Sequence, residues 1–184
     1  VMAPMDEIEL RNALFTAQRG LDGPMVIRYP RGRGEIVHWK MPFIELPMGK
    51  SRQLRKGSRI AVLTLGTLGT RVKQVLDKLG GTEFTHIDMR YMKPLDEECL
   101  KEVFQQHDLV VTLEDGMLRG GFGSAIMEFA AENELQKPVK RMGIQDEFIG
   151  HGSVEELEKM TGLDESSIQQ EFEHLLSNLK SGSK

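Results

Sequence analysis

From Arg59 onward the apolar positions alternate between two rhythms. "RIAVLTLG" is an unbroken apolar run of strand length, and Val72, Val75, Leu76 and Leu79 then recur at helical spacing until Gly80 and Gly81 interrupt them. "EFTHID" reads as a second strand. Asp96 caps the next helix, whose Cys99, Leu100, Val103 and Phe104 share one face. "DLVVTLE" gives a third strand, Gly123 to Asn133 a third helix and "VKRMGI" a fourth strand. A capping box of Ser153 and Glu156 opens a short helix closed by Gly162, and Asp164 starts a last helix with Ile168, Phe172, Leu175, Leu176 and Leu179 on one face. Regular alternation of this kind predicts a three-layer αβα fold around a mostly parallel sheet.

The region before Arg59 is patterned differently. Acidic Asp6, Glu7 and Glu9 favour a helix start after Pro4, and Leu10, Ala13, Leu14 and Ala17 form an apolar stripe that ends near Gly20. Asp22, Gly23 and Pro24 make a turn. Met25 to Tyr29 reads as a strand, and Pro30, which has no backbone donor, stops its pairing. Residues 32–57 are irregular, with Pro42, Pro47 and a short strand signal from Lys50 to Arg55, as expected of a linker between domains. The main boundary therefore falls here. No repeat is visible, and only "SGSK" at the end is of low complexity.

Composition narrows the class. A chain of 184 residues with 39% hydrophobic content supports one domain, or one domain with an attached piece. Lys and Arg total 24 against 28 Asp and Glu, a formal charge of -4, which argues against nucleic-acid binding or a polybasic membrane patch. Arginines in such a chain serve local purposes. The single cysteine, Cys99, excludes an internal disulfide and multi-cysteine zinc patterns and fits a reducing, cytoplasmic setting. No apolar run is long enough to span a membrane. The opening "VMAPMDEIEL" reads neither as a signal peptide nor as the start of a folded unit.

Candidate chemistry begins at "RYPRG". Arg31 falls just beyond a strand's carboxyl end, where open α/β sheets collect ligands, and a guanidinium can make two parallel bonds to a phosphate. Its spacing leaves two roles open, an anion ligand or an interdomain salt bridge. Arg28, inside the strand end, suits a sheet-edge ion pair, and Arg33 is expected to be exposed. The glycine-rich stretch "EDGMLRGGFGSA" follows a strand and opens a helix, so amides near Gly121 and Gly123 could hold an anion. Ile126 stands where a dinucleotide fingerprint needs its third glycine, which favours tight packing or a subunit contact instead. Glu114 and Asp115 are expected to cap the following loop rather than act as acid and base. Asp88, Arg90, Lys93 and Asp96 are expected to form a charge network bracing a strand-to-helix turn. His151 stands alone in "FIGHGS", and His38, His86, His107 and His174 show no metal-ligand spacing.

The ordered blocks "RYPRG", "LTLGT", "IDMRYMKPLDEE", "VVTLEDG", "GGFGSAIMEF", "MGIQDEFIGHGS" and "TGLDESSI" resemble the carboxyl-terminal part of the 1-deoxy-D-xylulose-5-phosphate synthases, transketolase-like thiamine diphosphate enzymes. Several blocks have looser relatives in transketolases and 2-oxoacid dehydrogenase beta subunits. The resemblance implies a tail of the pyrimidine-type cofactor domain over residues 1–34, a linker with a short strand over 35–57 and a transketolase C-terminal domain over 58–180. It implies a cytoplasmic homodimer that uses thiamine diphosphate and Mg2+ to join a two-carbon unit from pyruvate, with loss of CO2, to glyceraldehyde 3-phosphate. The product feeds isoprenoid precursors, thiamine and pyridoxal phosphate. It further implies that Arg31 contacts the substrate phosphate. Catalytic, cofactor and metal residues are expected upstream of Val1, so this piece alone is expected to bind no cofactor and to be inactive. His151 and the loop from Gly120 to Gly123 receive no catalytic role. The Met5 to Gln18 helix, without its parent domain, is expected to pack opportunistically or to expose its apolar face. The alternatives are a transketolase, a 2-oxoacid dehydrogenase beta subunit, or a non-catalytic association module.

Overall fold

A computed structural model describes residues 1–32, 34 and 40–181. Its elements in chain order are α1 (Glu7–Gln18), β1 (Arg52–Arg55), β2 (Ile60–Leu65), α2 (Leu68–Leu79), β3 (Phe84–Asp88), α3 (Glu97–Gln106), β4 (Leu109–Met117), α4 (Phe122–Glu132), β5 (Val139–Ile144), α5 (Val154–Thr161) and α6 (Glu165–Ser181). The strands form one sheet in the order β1-β3-β2-β4-β5. β2, β3, β4 and β5 run parallel, and only β1 at the edge is antiparallel. The expected αβα architecture is present.

The central strand shows why this sequence takes this arrangement. Every residue of β2 is buried, as expected of a parallel strand covered on both faces. Its side chains alternate. Ala61, Leu63 and Leu65 pack with Leu100, Val103 and Phe104 of α3 and Ile126 and Phe129 of α4. Ile60 and Val62 pack on the other side with Val72, Val75 and Leu76 of α2 and Ile168 and Phe172 of α6. Each fully buried aliphatic or aromatic side chain contributes about 1.5–3 kcal/mol of transfer free energy. Two polar pairs lie in the core, the Thr64 hydroxyl with His86 Nε2 at 3.0 Å and the Thr85 hydroxyl with His107 Nε2 at 2.7 Å, whereas the buried Thr112 hydroxyl has no hydrogen-bond partner among the described residues.

Helix ends follow the local rules. Asp96 accepts the Cys99 amide at the start of α3, the Ser153 and Glu156 capping box is complete, and Gly162 ends α5 at φ 69°.

Two expectations before Arg59 need correction. Met25 to Tyr29 is no strand: it contributes a single bridge, Ile27 to Met2. Among the described residues its one backbone neighbour is the short segment around Met2, and Pro24 and Pro30 flank it, so a ladder has little room to propagate. In α1, the buried residues are Glu9, Asn12, Ala13 and Thr16, whereas Leu14 is half exposed. Its inward face is mostly polar because its contacts are hydrogen-bonding groups, described below.

Candidate functional site

The carboxyl ends of the sheet strands, the place where such folds bind ligands, are covered by the chain's own first residues. Met2 bridges to both Ile27 and Tyr91, and the Ala3 amide donates to the Arg90 carbonyl at 2.9 Å. The Met2 amide donates to Val26 O, and the Arg28 amide to Met2 O, each at 2.9 Å. Thus residues 26–28 run beside the Met2 segment at the carboxyl edge.

The two arginines of "RYPRG" behave differently on this edge. Arg28 Nη1 donates to the backbone carbonyl of Asp115 at 2.7 Å. The expected ion pair is therefore replaced by a bond to a peptide oxygen. That oxygen is available because the β4–β5 register shifts between Leu113 and Met117, while the β2–β4 ladder ends at Leu65 and Glu114. Arg31 is exposed in a bend beyond it. Among the described residues Arg31 has no hydrogen bond or ion pair, so its guanidinium is available to an anion. Arg33 and His38 lie outside the described residues.

Beneath the edge lies a buried charge cluster. Glu9 Oε1 accepts from Arg90 Nε at 2.6 Å and lies 3.4 Å from Arg52 Nη2, while Asp88 Oδ2 accepts from Arg52 Nη2 at 3.1 Å. Asp88 Oδ1 accepts the Arg90 amide and Glu9 Oε2 the Met5 amide. Burial, reinforced by the charge and hydrogen bond of Glu9, pushes the Asp88 carboxyl up to about 8. Burial also opposes ionisation of Glu9, but the Asp88 hydrogen bond and the guanidiniums of Arg52 and Arg90 hold it below its ordinary value. The two carboxyls are thus pushed in opposite directions, Asp88 towards the neutral form and Glu9 towards the charged one. His86, two residues before Asp88 on β3, is pushed down to about 4 by burial first and the Arg52 charge second.

The expected network of Asp88, Arg90, Lys93 and Asp96 is thereby split. Asp88 and Arg90 turn to Glu9 and Arg52. Asp96 binds the amide and hydroxyl of Ser51, each at 2.9 Å, and Lys50, while the Lys93 amide donates to Val1 O at 3.2 Å. Side chains that bind across α1, β1 and β3 leave no local spacing signal. Glu9 and Arg52 were legible only as a first-turn acid and a strand-edge base.

The glycine-rich loop holds an anion of its own. Glu114 accepts the Phe122 amide at 2.7 Å and the Gly123 amide at 2.9 Å, filling the N-terminus of α4. The cap expected of Glu114 is present, whereas Asp115 contributes its carbonyl to Arg28. A Cβ on Gly121 would stand 2.1 Å from Met117 O and 2.3 Å from Glu114 Oε2, and one on Gly123 would stand 2.6 Å from the Thr112 hydroxyl. These glycines are packing requirements. His151 is exposed, and among the described residues no three histidine, cysteine or carboxylate groups could hold a metal ion. The described residues therefore offer no set of ligands for Mg2+. Among them, no helix is long and apolar enough to cross a membrane.

Comparisons with known proteins agree with this architecture. The family described as "Transketolase, C-terminal domain" matches residues 49–168. The chain is 45% identical over 175 residues to the 1-deoxy-D-xylulose-5-phosphate synthase of Bacteroides thetaiotaomicron, covering 94% of this chain and 27% of that protein. Its identity to the Phocaeicola vulgatus synthase is 47% over 171 residues, covering 91% of this chain and again 27% of the relative. The chain thus spans about a quarter of the length of these relatives. A solved split-gene transketolase, described as an inactive β4 tetramer, superposes with a TM-score of 0.79 at 28% identity, covering 92% of this chain and 55% of that one. With its sheet order, its covered carboxyl edge and this match over most of its length, the chain belongs to the transketolase C-terminal domain family.

Proposed function

We propose that this chain is the carboxyl-terminal part of a 1-deoxy-D-xylulose-5-phosphate synthase, and that Arg31 holds the phosphate of glyceraldehyde 3-phosphate. The observation that carries the reading is 45% identity to a protein of that name across 94% of the chain. The exposed guanidinium of Arg31 supports the residue assignment, because arginine can grip a phosphate through two parallel, charge-assisted bonds. Residues 1–34 then form the tail of the pyrimidine-type domain, 35–57 the linker and 58–180 the C-terminal domain.

In the complete enzyme, a cytoplasmic homodimer on this reading, thiamine diphosphate with Mg2+ supplies the decarboxylation of pyruvate. Arg31 positions the aldehyde, which converts an encounter between two reactants into a reaction within one site. The product would enter isoprenoid, thiamine and pyridoxal biosynthesis. Residues 1–184 alone are inactive on this reading, in keeping with the inactive tetramer described for the split-gene relative.

The full-length protein, supplied with thiamine diphosphate, Mg2+, pyruvate and glyceraldehyde 3-phosphate, should release CO2 and form 1-deoxy-D-xylulose 5-phosphate. Residues 1–184 alone should form none. Product from a ketose phosphate donor, with no use of pyruvate, would instead make the parent a transketolase.

A further inference from the structure

Arg28 and Arg31 are separated by Tyr29 and Pro30, and the four residues differ in how they are held. Up to Arg28 the segment is fixed on two sides: its amide donates to Met2 O at 2.9 Å, and its side chain donates to Asp115 O at 2.7 Å. After Arg28, Tyr29, Pro30, Arg31 and Gly32 are all exposed, and no backbone hydrogen bond ties them to another described residue. Arg28 is the last fixed point before Arg31.

Its anchorage is placed where it controls direction. A Cβ built on Gly66, just past the end of β2, would lie 3.9 Å from Arg28 Nη2, and Asp115 is in β4, the neighbour of β2. The guanidinium therefore reaches across the carboxyl ends of the two adjacent strands. Asp115 O is itself held firmly, since the preceding residue, Glu114, is buried and bonded to two amides of α4.

The spacer between the arginines is stiff. Pro30 fixes its own φ near -65° and excludes the helical region for Tyr29, so rotation at both central residues is restricted. Three residues of extended chain span about 10 Å. A restricted spacer of that length transmits the position of Arg28 to Arg31, whereas a free one would let the Arg31 backbone sample a wide arc.

We propose that Arg28, through its bond to the Asp115 carbonyl and the stiff Tyr29-Pro30 spacer, is the positioning residue that aims Arg31 at the substrate phosphate. The inference rests on the reading of Arg31 given above. The Arg28 guanidinium gives its Nη1 to the protein, whereas that of Arg31 has no partner among the described residues.

The test is steady-state kinetics of the full-length enzyme with Arg28→Met, Arg28→Lys, Pro30→Gly and Arg31→Ala, varying glyceraldehyde 3-phosphate and pyruvate separately. Arg28→Met keeps the stem but removes the donors, and exposure of the site makes misfolding a minor concern. It should raise the aldehyde KM about 10-fold, as expected for a modest misplacement of a binding group, with pyruvate KM unchanged. Arg28→Lys, which keeps one charged donor, should recover part of the loss. Pro30→Gly should raise the aldehyde KM with the Arg28 bond still formed, an effect that a purely structural Arg28 would not share. Hydrogen exchange at the residue-28 amide, which is bonded to Met2 O, should quicken in Arg28→Met. If Arg31→Ala impairs aldehyde use while Arg28→Met and Pro30→Gly leave it intact, the positioning role is overturned and the clamp survives. If Arg31→Ala leaves aldehyde use intact, the clamp reading falls and takes the positioning role with it.

Discussion

Helices α1 and α2 have the same length, 12 residues, and opposite burial logic. α2 buries Leu68, Val72, Val75 and Leu76 against the sheet. α1 turns Glu9, Asn12 and Thr16 inward and leaves Leu14 half exposed. Each inward polar group has a partner: Glu9 meets Arg90 and Arg52, Asn12 Oδ1 accepts the Ile44 amide at 3.1 Å, and the Thr16 hydroxyl accepts the Leu46 amide at 2.8 Å. The difference shows two ways of attaching a helix. One depends on removing apolar surface from water, the other on pairing the inward polar side chains of the helix, and only the first is visible as hydrophobic periodicity.

Breaking the polar attachment should have the largest effect. Glu9→Ala leaves Arg90 facing a buried site without its carboxylate, which costs about 3–5 kcal/mol at such pairs. Denaturant unfolding should show that loss, and hydrogen exchange should place it first in α1. In α2, Leu76→Ala removes a side chain only 1% exposed and should cost about 2–5 kcal/mol, spread over the whole sheet domain instead of one segment.

The pH dependence separates the two regions further. Asp88, raised to about 8 in the folded chain, binds a proton that the unfolded chain has already released above its ordinary range. Its stabilising proton is thus fully bound below the ordinary carboxyl range and is lost as pH rises through about 8, so this group makes stability fall across that whole span. Asp88→Asn should remove that slope whatever its effect on absolute stability. His86 works in the opposite sense: lowered to about 4, it is neutral in the fold while the unfolded imidazole takes up a proton, so stability falls as pH drops from about 6.5 to 4. The two oppose each other between about pH 4 and 6.5, so chemical denaturation across pH 4–9 should be compared in the unmodified chain and in Asp88→Asn, where the His86 effect stands alone. The smallest effect belongs to Leu14→Ser, which should change stability by about 0.5 kcal/mol or less because the side chain is half exposed.

Much of the fold was legible because its signals are local. The β2 run, the α2 and α6 stripes, the Ser153 capping box and the Gly162 stop each depend on neighbours within a few residues. The single Ile27 bridge and the inward Glu9 depend on residues far along the chain, at Met2, Arg52 and Arg90. Sequence spacing carries no trace of such partners. At the candidate site, the position of Arg31 beyond Pro30 was readable, and so was the cap made by Glu114. The bond from Arg28 to Asp115 was not, because a backbone carbonyl has no residue type to reveal it.

The most direct test of the account is the preference of the full-length enzyme for a phosphorylated aldehyde. The ratio of kcat/KM for glyceraldehyde 3-phosphate to that for unphosphorylated glyceraldehyde should be measured in the unmodified enzyme and in Arg31→Ala. On the proposed reading, loss of the Arg31 guanidinium should shrink the ratio about 10- to 100-fold while the unphosphorylated aldehyde reacts nearly as before. An unchanged ratio would contradict the account and leave Arg31 as a surface residue beside the sheet.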